Sequence, residues 1–274
     1  MRLDRRSLIA LAASGLAASA LPAIAADRLQ VVATTGMIAD AARQVGGDPV
    51  EVTALMGPGV DPHAYRQTRS DIVAMTRADL VLWHGLYLEA QMEEFLLDLA
   101  ARRPVTAVGE VVPKAQLLGH EDYSGRFDPH VWMDPALWHT VVLGVRDALG
   151  GTAPEHAAAF AANADAHLAD VDRLGTYSRE VLASVPEPAR VLLTAHDAFN
   201  YFGSAYGFEV LGIQGISTES EAGLARIGTL VDMLVERRIG AVFVETSVSD
   251  RNIRALIEGA AARGHEVRIG GELY

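Results

Sequence analysis

The tripeptide Asp-Pro-His occurs twice in the first half of the sequence, and in both copies one residue separates the histidine from an aromatic residue. The copies begin at Asp61 and Asp128 and end at His63 and His130. Proline fixes its own φ and restricts the preceding residue, so each histidine follows a stiff backbone. A nearby carboxylate can accept the second ring N–H of a metal-binding imidazole, which selects its tautomer. The repeat therefore indicates His63 and His130 as metal ligands, with Asp61 and Asp128 as candidate partners behind them. The alternative is a pair of solvated loop histidines.

Two further histidines directly follow apolar segments of the sequence. His196 comes after residues 191–195, and His84 comes after residues 80–83. Ligands of open α/β sheets bind beyond the carboxyl ends of the strands, so a histidine at that edge is well placed for a site. His196 is therefore the predicted third ligand, and three imidazoles suit a borderline cation such as Zn²⁺. His84 is a further candidate for the same cleft.

The elements that position these histidines follow from an alternation of short β-branched runs with amphipathic segments, which is typical of βαβ units and parallel sheets. The predicted strands are 30–34, 50–55, 80–83, 105–108, 191–195, 209–213, 241–245 and 266–269. The predicted helices are 37–45, 69–77, 89–101, 136–149, 198–206, 220–237 and 250–263. Thr68 and Asp71 predict a capping box for the second helix, and Asp134 with Pro135 predicts the N-cap and first position of the fourth.

A long Ala-rich stretch without internal proline runs from Pro154 to about Val185. It predicts a helix of about 30 residues, or about 45 Å, which would join two lobes rigidly. We therefore predict an α/β fold of two (β/α) lobes with parallel sheets, joined by a long rigid linker helix, with the metal site in the cleft between them. The predicted boundaries are 27–150 for the N-terminal lobe, 151–187 for the linker helix and 188–274 for the C-terminal lobe.

Residues 1–26 carry the features of a secretory signal peptide. Arginines precede an Ala- and Leu-rich stretch, and residues 23–25 supply a small-x-small cleavage site. The pair Arg5-Arg6 also fits twin-arginine export, so both export routes stay open. A membrane anchor is the alternative, but the apolar run is short for a bilayer span. The signal peptide predicts an exported, periplasmic protein. Because the sequence contains no cysteine, we expect that it is not a lipoprotein.

Composition and charge argue against several classes of protein. The 274 residues carry 23 Lys and Arg against 35 Asp and Glu, a formal net charge of −12. This balance argues against a nucleic acid or an anionic membrane as a partner. The lack of cysteine excludes disulfides, thiolate metal ligands and a cysteine nucleophile. A hydrophobic content of 50% is enough for a sizeable core.

Seven segments, taken in order, resemble the cluster A-I solute-binding proteins of zinc and manganese ABC transporters. They are VVATTGMIAD (31–40), GVDPHAY (59–65), DPHVWMDP (128–135), TAHDAF (194–199), QGISTESE (214–221), VET (244–246) and IGGELY (269–274). The resemblance implies one metal ion between two lobes, bound by His63 and His130 from the first lobe and His196 from the second. It also implies a monomeric carrier that delivers its ion to a membrane permease and catalyses no reaction.

The metal is Zn²⁺ or Mn²⁺ by this resemblance. Three imidazoles favour zinc, since manganese prefers more oxygen ligands. The loop before His130 lacks the long His-rich insertion of many zinc-specific relatives, which weakens that preference. The family's fourth ligand, an aspartate, is expected beyond Tyr274; the alternatives are water or, within the chain, Glu245.

Two other functions compete with metal transport. Three histidines and an open position also suit a zinc hydrolase, but the sequence has no His-Glu-x-x-His or Gly-x-Ser-x-Gly motif. The second alternative is an exported adhesin-like protein in which the metal only stabilises the fold. We predict a metal carrier and not an enzyme.

Overall fold

In the computed structural model the described residues are 28–120, 123–219 and 222–273. The predicted signal peptide, 1–26, lies outside them. No helix in these three ranges is long and apolar enough to cross a membrane.

The N-terminal half contains one parallel sheet with the strand order β2-β1-β3-β4. Its strands are β1 (Leu29–Ala33), β2 (Val50–Ala54), β3 (Leu80–Trp83) and β4 (Val105–Ala107). All four residues of β3 are buried, because β3 lies inside the sheet and side chains pack on both faces. His63 and His84 follow β2 and β3, at the carboxyl edge of this sheet.

The helices of this half are α1 (Gly36–Gly46), α2 (Arg69–Arg77), α3 (Glu93–Ala100) and α4 (Pro135–Thr152). The predicted caps are confirmed: Thr68 and Asp71 form a capping box, and the Asp134 side chain accepts the N–H of Ala136.

Helix α3 begins at Glu93, so the predicted start at residue 89 is wrong. Leu86 and Tyr87, with left-handed φ values of 53° and 69°, begin a run of turns that continues to Met92. The Glu89 carboxylate accepts the backbone N–H of His84 and holds this left-handed turn closed.

The C-terminal half contains two parallel strand pairs, β5 (Val191–Thr194) with β6 (Glu209–Gly212), and β7 (Ala241–Glu245) with β8 (Arg268–Leu273). Its helices are α6 (Asn200–Tyr206), α7 (Leu224–Glu236) and α8 (Arg251–Ala261). Strand β8 begins two residues later than predicted and reaches Leu273. The glycine pair inside it has low strand propensity, which hid this extension.

Helix α5 (Ala157–Ala183) is the predicted long connecting helix, and its 27 residues span about 40 Å. A 3-10 turn, Pro154–His156, precedes it. Its first turns are not free-standing, because Phe160, Ala164 and Leu168 are buried in the core of the N-terminal sheet. The helix is therefore anchored on one lobe before it reaches the other. The lobe boundaries themselves stay a prediction.

Candidate metal centre

Three buried imidazoles from three loops meet between the two halves of the chain. The ligand nitrogens of His63, His130 and His196 all lie within 4.8 Å of one another. The Nε2 atom of His130 is 3.2 Å from that of His63 and 3.4 Å from that of His196. A tetrahedral zinc ion with Zn–N bonds of about 2.0–2.1 Å holds its nitrogens about 3.3 Å apart. The cluster therefore has the spacing of a transition-metal site.

Asp128, the candidate partner of His130, contacts both its main chain and its ring. Asp128 Oδ1 accepts both the backbone N–H of His130, at 2.9 Å, and its ring Nδ1–H, at 2.8 Å. Asp128 Oδ2 accepts the side-chain amide of Asn200 at 3.2 Å, and its carbonyl oxygen accepts the hydroxyl of Tyr201 at 2.8 Å. With its proton on Nδ1, His130 presents the lone pair of Nε2 to the centre of the cluster.

The first tripeptide holds its histidine differently. Asp61 Oδ1 accepts the backbone N–H of His63 at 2.9 Å, and its Oδ2 accepts the hydroxyl of Thr218. Among the contacts of the described residues, none joins Asp61 to the imidazole of His63. The expectation that Asp61 orients the ring is therefore wrong: a carboxylate two residues before an N–H closes an Asx turn on the main chain.

His196 has a carboxylate partner that the sequence analysis assigned to a different role. Its backbone N–H donates to Glu245 Oε1 at 2.9 Å, and its Nδ1 lies 2.5 Å from Glu245 Oε2. That oxygen lies off the N–H direction, so this contact is an electrostatic one and not an aligned hydrogen bond. Glu245 was considered as a substitute ligand, yet it lies behind His196, on the side away from Nε2. In the sequence both residues stand at the carboxyl ends of predicted strands, and this placement could have indicated that they lie close together.

His84 does not join the cluster, although it is fully buried nearby. Its Nε2 donates to the carbonyl oxygen of Pro129 at 2.7 Å, directly before His130. Within the described residues its Nδ1 has no hydrogen-bond partner. Burial lowers the pKa of His84 to about 4, so the ring is neutral at pH 7. It supports the main chain that carries His130.

The electrostatics of the cluster favour a cation over protons. Burial lowers the pKa values of His63 and His130 well below the usual 6.5, and each protonated ring would also repel its neighbours. Burial raises the pKa of Asp128 to about 6. At neutral pH the rings of His63 and His130 are therefore uncharged, with lone pairs available to a metal.

A cavity of about 200 Å³ adjoins the three imidazoles. Its wall is mainly apolar and includes Met37, Met56, Val60, Trp132 and Phe199. An apolar wall limits the access of water and lowers the local dielectric, which strengthens bonds between a bound ion and its ligands. The predicted fourth ligand beyond Tyr274 lies outside the described residues.

Comparison with known proteins gives a consistent result over nearly the whole chain. Residues 31–274 match a family described as zinc-uptake complex component A, periplasmic. The manganese-binding lipoprotein MntA of Bacillus subtilis is 48% identical over 248 residues, which cover 90% of this chain and 81% of that protein. The zinc-binding protein TroA of Treponema pallidum is 44% identical over 244 residues, covering 89% of this chain and 79% of that protein.

The solved structure of the periplasmic zinc-binding protein TroA of Treponema pallidum has the same fold. It superposes with a TM-score of 0.87 at 43% identity, over 90% of this chain and 88% of that chain. The predicted fold class, two α/β lobes with parallel sheets, is confirmed by this likeness. The predicted family is confirmed as well.

Proposed function

The chain belongs to the family of periplasmic metal-binding components of ABC transporters, and we propose that His63, His130 and His196 are the protein ligands of its ion. This family consists of transport components and not of enzymes. The observation that carries the proposal is the convergence of three buried imidazoles, with the Nε2 atom of His130 at 3.2 Å and 3.4 Å from those of His63 and His196. The role of the protein is then capture of one divalent ion and its delivery to a membrane permease for import.

The binding step follows from the state of two of the rings. His63 and His130 are neutral at pH 7, so an arriving ion does not first have to displace protons. The ion loses most of its water in exchange for three imidazole nitrogens, and the apolar wall keeps bulk water away. A tetrahedral ion bound in this way keeps one position for an oxygen ligand.

We propose Zn²⁺ as the preferred ion. Three imidazoles form a nitrogen-rich site, which binds Zn²⁺ more tightly than Mn²⁺ in the usual order of divalent metals. The names of the relatives support both ions, since MntA is named for manganese and TroA for zinc. We prefer Zn²⁺ because all three proposed ligands of this chain are histidines.

Metal content and competition test this proposal. The purified protein, stripped of metal and incubated with equal Zn²⁺ and Mn²⁺, should retain one Zn²⁺ per chain by mass spectrometry of the metals. His63→Ala and His130→Ala should each weaken Zn²⁺ binding by at least about 100-fold, because each removes a ligand from a three-histidine site. His167→Ala, on helix α5, is the matched control and should bind like the wild type. Binding that survives both ligand substitutions would contradict the proposal.

We further propose that the protein works as a monomer without a lipid anchor. The family is periplasmic. The sequence has no cysteine to carry the lipid of a lipoprotein such as the Bacillus relative. Intact-mass measurement of the secreted protein should give the unmodified polypeptide cleaved near residue 26, and light scattering should give the mass of one chain. A lipid adduct would contradict the absence of a lipid anchor, and the mass of a dimer would contradict the monomer.

A further inference from the structure

Each Asp-Pro-His aspartate uses its two carboxylate oxygens in two directions. In both copies Oδ1 accepts the backbone N–H of the histidine two residues later, at 2.9 Å. In both copies Oδ2 accepts a donor from the other half of the chain. For Asp128 this donor is the amide of Asn200, and for Asp61 it is the hydroxyl of Thr218, at 2.5 Å. Each aspartate therefore links its histidine to the opposite lobe.

Thr218 lies on a loop that is bound to the support of the third histidine. In this loop, residues 213–219, the N–H of Gln214 donates to the carbonyl of Ala195, and the carbonyl of Gly215 accepts the N–H of Asp197. Ala195 and Asp197 flank His196. The loop and His196 are therefore held as one unit, and the contact of Thr218 with Asp61 joins that unit to the turn that carries His63.

A second interlobe contact lies one residue further along the same loop. The side-chain amide of Gln91 donates to the carboxylate of Glu219. Glu219 is exposed, whereas Thr218 is half-buried and Ser217 is buried. The contact of Thr218 is thus the inner one, nearer to the imidazoles, and water competes with it less.

We propose that Thr218 is a positioning residue for the bound ion: through the carboxylate of Asp61 it holds His63 against the lobe that carries His196, and it thereby sets how long the ion stays bound. This inference rests on the proposed function of the three histidines. Release of the ion requires His63 and His196 to separate, and the Thr218–Asp61 hydrogen bond must break when they do. The hydroxyl therefore slows dissociation, while association into the open cleft does not depend on it.

The test compares the rate of Zn²⁺ release from variants that differ only in the hydroxyl. Thr218→Val keeps the shape of the side chain and removes the donor, and Thr218→Ser keeps the donor. Each protein is loaded with one Zn²⁺ and mixed with an excess of a chromogenic chelator in a stopped-flow instrument. Thr218→Val should release Zn²⁺ about tenfold faster than the wild type, as expected for loss of a hydrogen bond to a carboxylate. Thr218→Ser should stay within about twofold of the wild type.

Thr229→Val is the matched control, because the hydroxyl of Thr229 donates within helix α7 to the carbonyl of Ala225, away from the site. It should release Zn²⁺ at the wild-type rate. Equal rates for Thr218→Val and Thr229→Val would overturn the inference, and so would fast release from Thr218→Ser. Thermal unfolding of the metal-free proteins identifies a folding defect. If Thr218→Val shows one, the smaller Thr218→Ala takes its place, with the same tenfold expectation.

The two proposals fail in distinguishable ways. If the wild type binds no Zn²⁺, the proposed function itself is wrong. If the wild type binds Zn²⁺ through the three histidines and Thr218 does not affect its release, only the positioning role is wrong.

Discussion

The two copies of Asp-Pro-His hold their histidines in different ways. Asp128 is fully buried and accepts both the main-chain and the ring N–H of His130, so it sets the tautomer and the direction of the ring. Asp61 is only half-buried, and its contact with His63 is to the main chain and not to the ring. One tripeptide thus holds one histidine rigidly and leaves the other more adjustable. The surroundings, and not the motif, decide which role the aspartate takes.

This difference predicts unequal effects of one substitution made at both places. Asp128→Asn should weaken Zn²⁺ binding by about 10- to 100-fold, the usual effect of removing the carboxylate behind a metal-binding histidine. Asp61→Asn should weaken it less than about tenfold, because an amide oxygen can still accept the N–H of His63. Competition against a fluorescent zinc chelator gives both affinities. Equal losses at the two positions would contradict the distinction between the two copies.

Glu245 extends the comparison to the third histidine. It contacts both the main chain and Nδ1 of His196, as Asp128 does for His130. Because its contact with the ring is not aligned, Glu245→Gln should weaken Zn²⁺ binding by about tenfold, toward the lower end of the range for Asp128→Asn. Glu272→Gln, an exposed change on strand β8, is the control. An unchanged affinity in Glu245→Gln would show that His196 needs no carboxylate behind it.

The smallest predicted effect is on the pH dependence of stability. His63, His84 and His130 have lowered pKa values in the folded metal-free protein, so the unfolded chain binds more protons below about pH 6.5. Stability is therefore lost as the pH falls through and below 6.5. The raised pKa of Asp128 acts in the opposite direction, since the folded state then binds the extra proton. The three histidines outweigh the raised pKa values of Asp128 and Glu89, which leaves a net loss of stability on the order of 1 kcal/mol between pH 7 and pH 6.

A substitution at His84 separates this effect from metal binding. In His84→Gln the amide can still donate to the carbonyl of Pro129, but the group no longer titrates. The loss of stability between pH 7 and pH 6 should become smaller, by less than about 1 kcal/mol, measured by urea unfolding of the metal-free protein. A loss equal to that of the wild type would show that His84 is not held neutral by burial.

Local features of this structure were predictable from the sequence, and contacts between distant residues were not. Strand β3 and helix α2 lie where the residue pattern placed them, because a buried apolar run and a capping box are local signals. The candidate histidines could be identified from the repeated tripeptide and from their places directly after apolar runs. The start of helix α3 was missed because Glu89 stabilises a left-handed turn through its side chain, which periodicity does not detect.

The partners of the histidines show the same limit. Asn200 lies 72 residues from Asp128, and Thr218 lies 157 residues from Asp61. These pairs form only when the two lobes meet, so no spacing rule for helices or strands reveals them. The candidate ligands can be proposed from the sequence, whereas the residues that contact them from the other lobe are found only in the fold.

Anomalous diffraction from crystals of the zinc-loaded protein tests the central claim most directly. The account predicts a single zinc peak in the interlobe cleft, about 2.0–2.1 Å from the Nε2 atoms of His63, His130 and His196. The Nδ1 atoms of His130 and His196 should face Asp128 and Glu245. A zinc ion bound elsewhere, or bound through Nδ1 of any of the three rings, would contradict it.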